Sequence, residues 1–219
     1  MPRLFKNNGL TIVLMLLFAG SLIGQLLTGW RVENEDLARH GEAAITLGQY
    51  AGDSSFISAV FENWESEFLQ MSAYVVLTAI LIQKGSAESK APDEPPRDSD
   101  LDQQARRKDA PAILKAGAVA RWLYARSLGI TLFLLFLASF AVHWINSAGH
   151  AADEAAHHGE EALGVMAYLW DPQLWFESFQ NWQSEFLSTA VLVVLSIFLR
   201  QAESPESKPV AAPHSQTGA

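Results

Sequence analysis

The sequence predicts an all-α membrane protein whose four transmembrane helices form two tandem parallel two-span repeats, with interfacial amphipathic helices. Three observations carry that prediction. Apolar residues gather into four runs, basic residues avoid two of the three connections between them, and one half of the chain restates the other.

The runs are 10–19 (LTIVLMLLFA), 73–82 (AYVVLTAILI), 128–138 (LGITLFLLFLA) and 186–199 (FLSTAVLVVLSIFL). A soluble helical protein spreads its apolar residues at 3.6 spacing, whereas here they are blocked between strongly polar segments. A spanning helix needs about 20 residues to cross a hydrocarbon core of about 30 Å. That length places spans near 9–30, 64–83, 127–146 and 182–200. The N-terminus has the basic start and apolar run of a signal peptide. It lacks a convincing small-residue cleavage site and has a counterpart later in the chain, so it reads as a retained span.

Residues 34–90 align with 152–208 without gaps at an offset of 118, and 23 of the 57 positions are identical. The matches include His40/His158, Gly41/Gly159, Tyr50/Tyr168, Asp53/Asp171 and Ser89-Lys90/Ser207-Lys208. FENWESEFLQ at 61–70 is restated as FQNWQSEFLS at 179–188. The expected organisation is a first two-span repeat over 1–84, a partly disordered linker over 85–116, a second repeat over 117–201 and a disordered tail over 202–219. An even number of spans per copy makes the repeats parallel, related by a pseudo-twofold axis along the membrane normal.

Charge sets the topology. Of the 15 Lys and Arg, 13 lie in the N-terminus, the linker and the tail, and only Arg31 and Arg39 lie in the two other connections. The positive-inside rule then puts both termini and the 85–126 linker in the cytoplasm, with loops 31–63 and 147–181 on the outer, periplasmic side. The net charge of −9 and the lack of a basic face exclude nucleic acid as a partner. The absence of cysteine excludes disulfides and thiolate metal sites.

The second span of each copy is short of apolar residues, so the preceding turns are drawn toward the membrane. Asp53 and Asp171 are helix N-caps, with Pro172 at the first helical position. Asn63 and Glu67 are four apart and share a face, as are Asn181 and Glu185. A carboxylate facing lipid is costly, so these faces turn toward protein or water, and toward each other under the pseudo-twofold. The paired polar motif is therefore Asn63, Trp64, Ser66 and Glu67 with Asn181, Trp182, Ser184 and Glu185. Trp and Phe anchor such a segment at the headgroups, while Asn and Ser join helices.

Histidines gather in the second outer loop. His150, His157 and His158, with His40 from the first copy, are candidate metal ligands. The repeated His-Gly-Glu at 40–42 and 158–160 reads as a helix break followed by a new start. Gly20 and Gly24, with Gln25 beside them, allow close helix packing. Residues 111–127 read as a basic amphipathic helix leading into the third span. No catalytic or cofactor motif is present, so no enzyme activity and no cofactor is expected.

Lys6-Asn7-Asn8-Gly9-Leu10, Gly24-Gln25, Thr28-Gly29 and both copies of Asn-Trp-x-Ser-Glu-Phe-Leu give the chain its resemblance to a family of uncharacterised bacterial integral membrane proteins. The similarity covers 1–84 and 117–201 and implies a bacterial inner-membrane location; it carries fold expectations and no mechanism. The expected function is a non-enzymatic accessory or scaffold subunit of a membrane complex, with the lipid bilayer and other membrane subunits or further copies of itself as partners. A second reading is a small module handling protons, cations or solutes through paired Glu67 and Glu185. A third, weaker reading is metal binding by the His-rich outer loop.

Overall fold

A computed structural model describes residues 3–95 and 98–218, with side chains from residue 5 onward. Arg97, one of the linker cations, lies outside the described residues. The chain is all-helical, with no strand among the described residues. The helices are α1 (Arg3–His40), α2 (Leu47–Ala51), α3 (Ser54–Ile80), α4 (Leu101–Gln104), α5 (Ala118–Ala125), α6 (Ser127–His158), α7 (Val165–Tyr168) and α8 (Pro172–Phe198), with a 3₁₀ turn at Ala112–Lys115.

Two compact units divide the chain: Met1–Val60 with Val142–Tyr168, and Phe61–Ala141 with Leu169–Ala219. Two helices are long and apolar enough to cross a membrane by length and composition, Phe5–His40 of α1 and Ser127–His158 of α6. Neither α3 nor α8 meets that test, because the polar phrase occupies the middle of each and leaves a short apolar stretch. The two apolar helices also run further than the expected spans. Residues 31–40 and 147–158, the starts of the outer acidic loops expected to be partly helical, continue α1 and α6.

Local chemistry accounts for the helix ends. Each apolar helix stops at a glycine with positive φ, +76° at Gly41 and +69° at Gly159. The next amide reaches back across the last turn, Glu42 N to Leu37 O at 2.9 Å and Glu160 N to Ala155 O at 2.8 Å. Only glycine adopts that left-handed position without steric cost. The break expected at His-Gly-Glu is therefore present, but the next helix starts later. Thr46 opens α2 through a reciprocal capping box with Gln49. Asp171 caps α8 by accepting from Gln173 N at 2.8 Å, with Pro172 at the first position. Asp53 accepts from Ser55 N at 2.8 Å at the start of α3. α1 carries a kink at Asn8, which sits at φ −131°, ψ 18°.

Cations close the opposite helix ends, where the last carbonyls carry partial negative charge. Lys90 Nζ donates to Ala79 O of α3 at 2.7 Å. Arg200 Nη1 donates to Leu199 O at 2.7 Å and Ile197 O at 3.2 Å behind α8. Residues 201–218 form turns without a regular element.

Candidate functional site

The repeated phrase lies on α3 and α8, and the described bonds between these helices run through it. Asn181 Nδ2 donates to Glu62 Oε1. Trp182 Nε1 donates to Glu65 Oε1 at 2.8 Å. One turn and more further on, Gln70 Nε2 donates to Thr189 Oγ1. The three bonds link residues 119, 117 and 119 positions apart, so the two helices run in the same direction with nearly equivalent positions at each level.

The faces that meet are not equivalent. On α3, Glu65 and Ser66 are buried, at 0% and 2% exposure, while Asn63 and Glu67 are exposed. On α8, Asn181, Trp182 and Glu185 are half-buried, while Gln183 and Ser184 are exposed. Moved back by 118, the α8 contact residues Asn181 and Trp182 correspond to Asn63 and Trp64, whereas α3 presents Glu62 and Glu65. At about 100° per residue, positions 62 and 65 centre on the opposite side of the helix from positions 63 and 64, so the two copies present opposite sides of the shared phrase. A twofold would put the same patch on both partners. The expectation that the Asn63–Glu67 stripe faces the Asn181–Glu185 stripe is therefore corrected: only the α8 stripe turns inward.

Sequence reasoning missed Glu62 and Glu65, treating them as variable positions in the phrase. A signal was available: their counterparts are Gln180 and Gln183, so only the first copy carries these two carboxylates. Within each copy the phrase keeps its local geometry. Ser66 Oγ donates to Asn63 O, and Ser184 Oγ to Asn181 O, both at 2.8 Å. These hydroxyls satisfy themselves on their own helix and do not join the copies.

Aromatic rings surround the Trp182 indole. Its ring centroid lies 5.3 Å from Phe179, 6.4 Å from Trp175 and 6.0 Å from Phe136 of α6, all near edge-on. Edge-on packing suits the ring quadrupoles and leaves the N–H directed at Glu65. Its counterpart Trp64 packs on Phe61, 4.9 Å away.

In the other unit, Asn34 holds the chain after α1. Its side chain accepts from Ile45 N at 2.7 Å and donates to Ile45 O at 3.1 Å, while Trp30 Nε1 donates to the same carbonyl at 2.7 Å. Trp144 Nε1 donates to Val165 O at 2.9 Å in the second copy. Tyr50 lies on Gly29, where a Cβ would overlap its hydroxyl. The Tyr168 hydroxyl bonds the Ser147 hydroxyl at 3.1 Å. Both tyrosines thus meet the residue 21 positions earlier. Burial raises the Glu33 pKa and the Asp53 charge raises it further, while His150 opposes.

The candidate metal ligands are spread out. His40 lies 3.5 Å from Asp36, and His157 lies 3.4 Å from Glu42. Among the described residues, no group of three or more histidines and carboxylates is placed to hold a metal ion. His150 and His158 are exposed on α6. Gly20 and Gly24 have open space beside them, and Gln25 is half-exposed.

No curated protein and no solved structure matches the chain. A family model described as a domain of unknown function (DUF6766) matches residues 1–219, and the chain belongs to that family.

Proposed function

We propose that the chain is a four-span protein of the bacterial cytoplasmic membrane, built from two parallel copies, that acts as a non-enzymatic accessory or scaffold subunit of a membrane complex. The observation that carries this reading is the bareness of α1. No residue in its most apolar stretch is buried, and Leu10, Leu14, Leu16 and Leu17 are all exposed. So much apolar surface requires lipid or another protein to cover it. In lipid, small residues give helices a place to meet, and Gly20 and Gly24 lie one turn apart with nothing within 4 Å. The amphipathic turns of α3 and α8 then belong at the outer headgroups, and the cationic helix ends at the inner ones.

Native purification in mild detergent tests this. A stoichiometric partner, or a defined homo-oligomer, supports the subunit role; a solitary chain overturns it. Gly20→Leu with Gly24→Leu sharpens the test. Both sites are open within the chain, so its own stability should hold or rise, since Gly is a poor helix residue. The assembly should dissociate.

A second reading remains for the α3–α8 seam. Glu185 is half-buried on α8, and the same seam holds Glu62 and Glu65. A cluster of carboxylates at a membrane helix pair is a place for a proton or a cation. Glu67→Gln with Glu185→Gln decides between the two. Loss of ion-dependent activity with assembly intact favours the second reading, and loss of assembly alone favours the first.

A further inference from the structure

Lys208 is 1% exposed, and all of its hydrogen-bond acceptors are main-chain carbonyls. Its Nζ donates to Gly85 O at 2.6 Å, Gln216 O at 3.0 Å, His214 O at 3.1 Å and Pro213 O at 3.4 Å. Four carbonyl oxygens around one positive charge are the donor set that replaces the hydration shell of a large monovalent cation. The counterpart, Lys90, shows a single such bond, to Ala79 O of α3.

The oxygens are held in place by bonds that do not involve Lys208. Gly85 N donates to Thr217 Oγ1 at 2.8 Å, and Gly218 N donates to Ser86 O at 2.9 Å. Arg200 Nη2 donates to Ala212 O at 2.9 Å, and the His214 ring meets Ile197 O at 3.0 Å. Ser86 is itself fully buried, with its hydroxyl 2.8 Å from that of Ser196 on α8. Residues 208–218 therefore return from the end of α8 to the turn that follows α3.

We infer that this tail is a strap fastened at a monovalent-cation site, a cage of main-chain carbonyls on Gly85, Pro213, His214 and Gln216 that the chain fills with its own Lys208 ammonium. A small, strongly hydrated ion is too short for oxygens at these distances, whereas an ammonium or potassium ion fits them. Burial pushes the Lys208 pKa down, and the Arg200 guanidinium adds to that, so the ammonium is held against a desolvation cost and the carbonyls are what retain it. An empty cage would leave the buried Gly85 carbonyl and the part-buried carbonyls of Pro213, His214 and Gln216 without the ammonium, which unfastens the strap.

Hydrogen exchange at the Gly85 and Gly218 amides, measured on the full chain in detergent, reads the strap directly. In the wild type both amides should be protected equally in potassium and lithium chloride, because the cage is already filled. Lys208→Met should speed their exchange at least tenfold in lithium, and potassium should restore part of the protection. Lys90→Met should leave both amides unchanged. Three results would overturn the inference: wild-type amides exchanging at unstructured rates, Lys208→Met retaining full protection, or no difference between potassium and lithium in that variant. Should Lys208→Met fail to fold, Thr217→Val removes the Gly85 acceptor without touching the ammonium, and must release the Gly85 amide alone or with Gly218.

Discussion

The two copies of the phrase share seven of ten residues and do opposite work. In α3 the copy accepts, through the carboxylates of Glu62 and Glu65. In α8 it donates, through the Asn181 amide and the Trp182 indole. The shared residues Asn63 and Trp64 stand at the donor positions of α3, yet Asn63 is exposed and Trp64 packs on Phe61. Two identical faces would have set donor against donor and acceptor against acceptor. Presenting opposite sides of the shared phrase, with Gln in place of Glu at 180 and 183, gives each side what the other lacks. Divergence at the variable positions is thus what lets two similar helices recognise each other.

The largest effect should come from the second copy's donor. Trp182→Phe keeps the ring and removes the N–H, leaving a fully buried carboxylate without that partner; the expected loss is about 3 kcal/mol, read by chemical unfolding in detergent. Trp64→Phe, the same change in the first copy at a half-buried ring packed on Phe61, should cost less. Equal losses at the two sites would break the contrast. A cycle with Glu65→Gln should recover part of the Trp182 loss, because the coupled pair is then removed together.

A smaller contrast separates Gly29 from Ser147, which occupy the same place beneath Tyr50 and Tyr168. Gly29→Ala drives a methyl into the buried Tyr50 ring, and a loss of about 2 kcal/mol is expected. Ser147→Ala removes the hydroxyl pair with Tyr168, for about 1 kcal/mol. Thermal unfolding of both variants measures the difference, and a costlier Ser147→Ala would reverse the assignment.

The smallest effect is one of pH. It comes from Glu33, in the last turns of α1. Its pKa is raised, so its stabilising contribution is whole below the ordinary glutamate value of about 4.3 and is lost as pH rises through the higher folded value. The melting temperature should therefore fall with rising pH over that window by a small amount that Glu33→Gln abolishes. A variant with the wild-type slope would assign the dependence to another group.

The elements were largely legible in the sequence, since each is written by a local rule. Gly41 and Gly159 stop helices through a backbone position that other residues resist, and Asp53 and Asp171 start them through a short oxygen acceptor. Residues 31–40 and 147–158 belong to the outer acidic loops, expected to be partly helical, and they continue α1 and α6 as solvated helix. The seam was legible in location but not in orientation. Asn63–Glu67 and Glu62–Glu65 are both sound helical faces, and periodicity cannot choose between them when the opposite helix is unknown. The Glu/Gln exchanges at 62/180 and 65/183 held the missing information. The strap around Lys208 was invisible, because main-chain carbonyls leave no mark in a sequence.

The orientation of the seam is the central claim, and the chain is well suited to a direct test because it contains no cysteine. Cysteine pairs should be placed at 62 and 181, and separately at the equivalent positions 63 and 181, then treated with a short bifunctional thiol reagent in membranes. Efficient cross-linking of Glu62→Cys with Asn181→Cys, and little of Asn63→Cys with Asn181→Cys, is the result the account predicts. The reverse preference would restore a twofold pairing of like faces and contradict it.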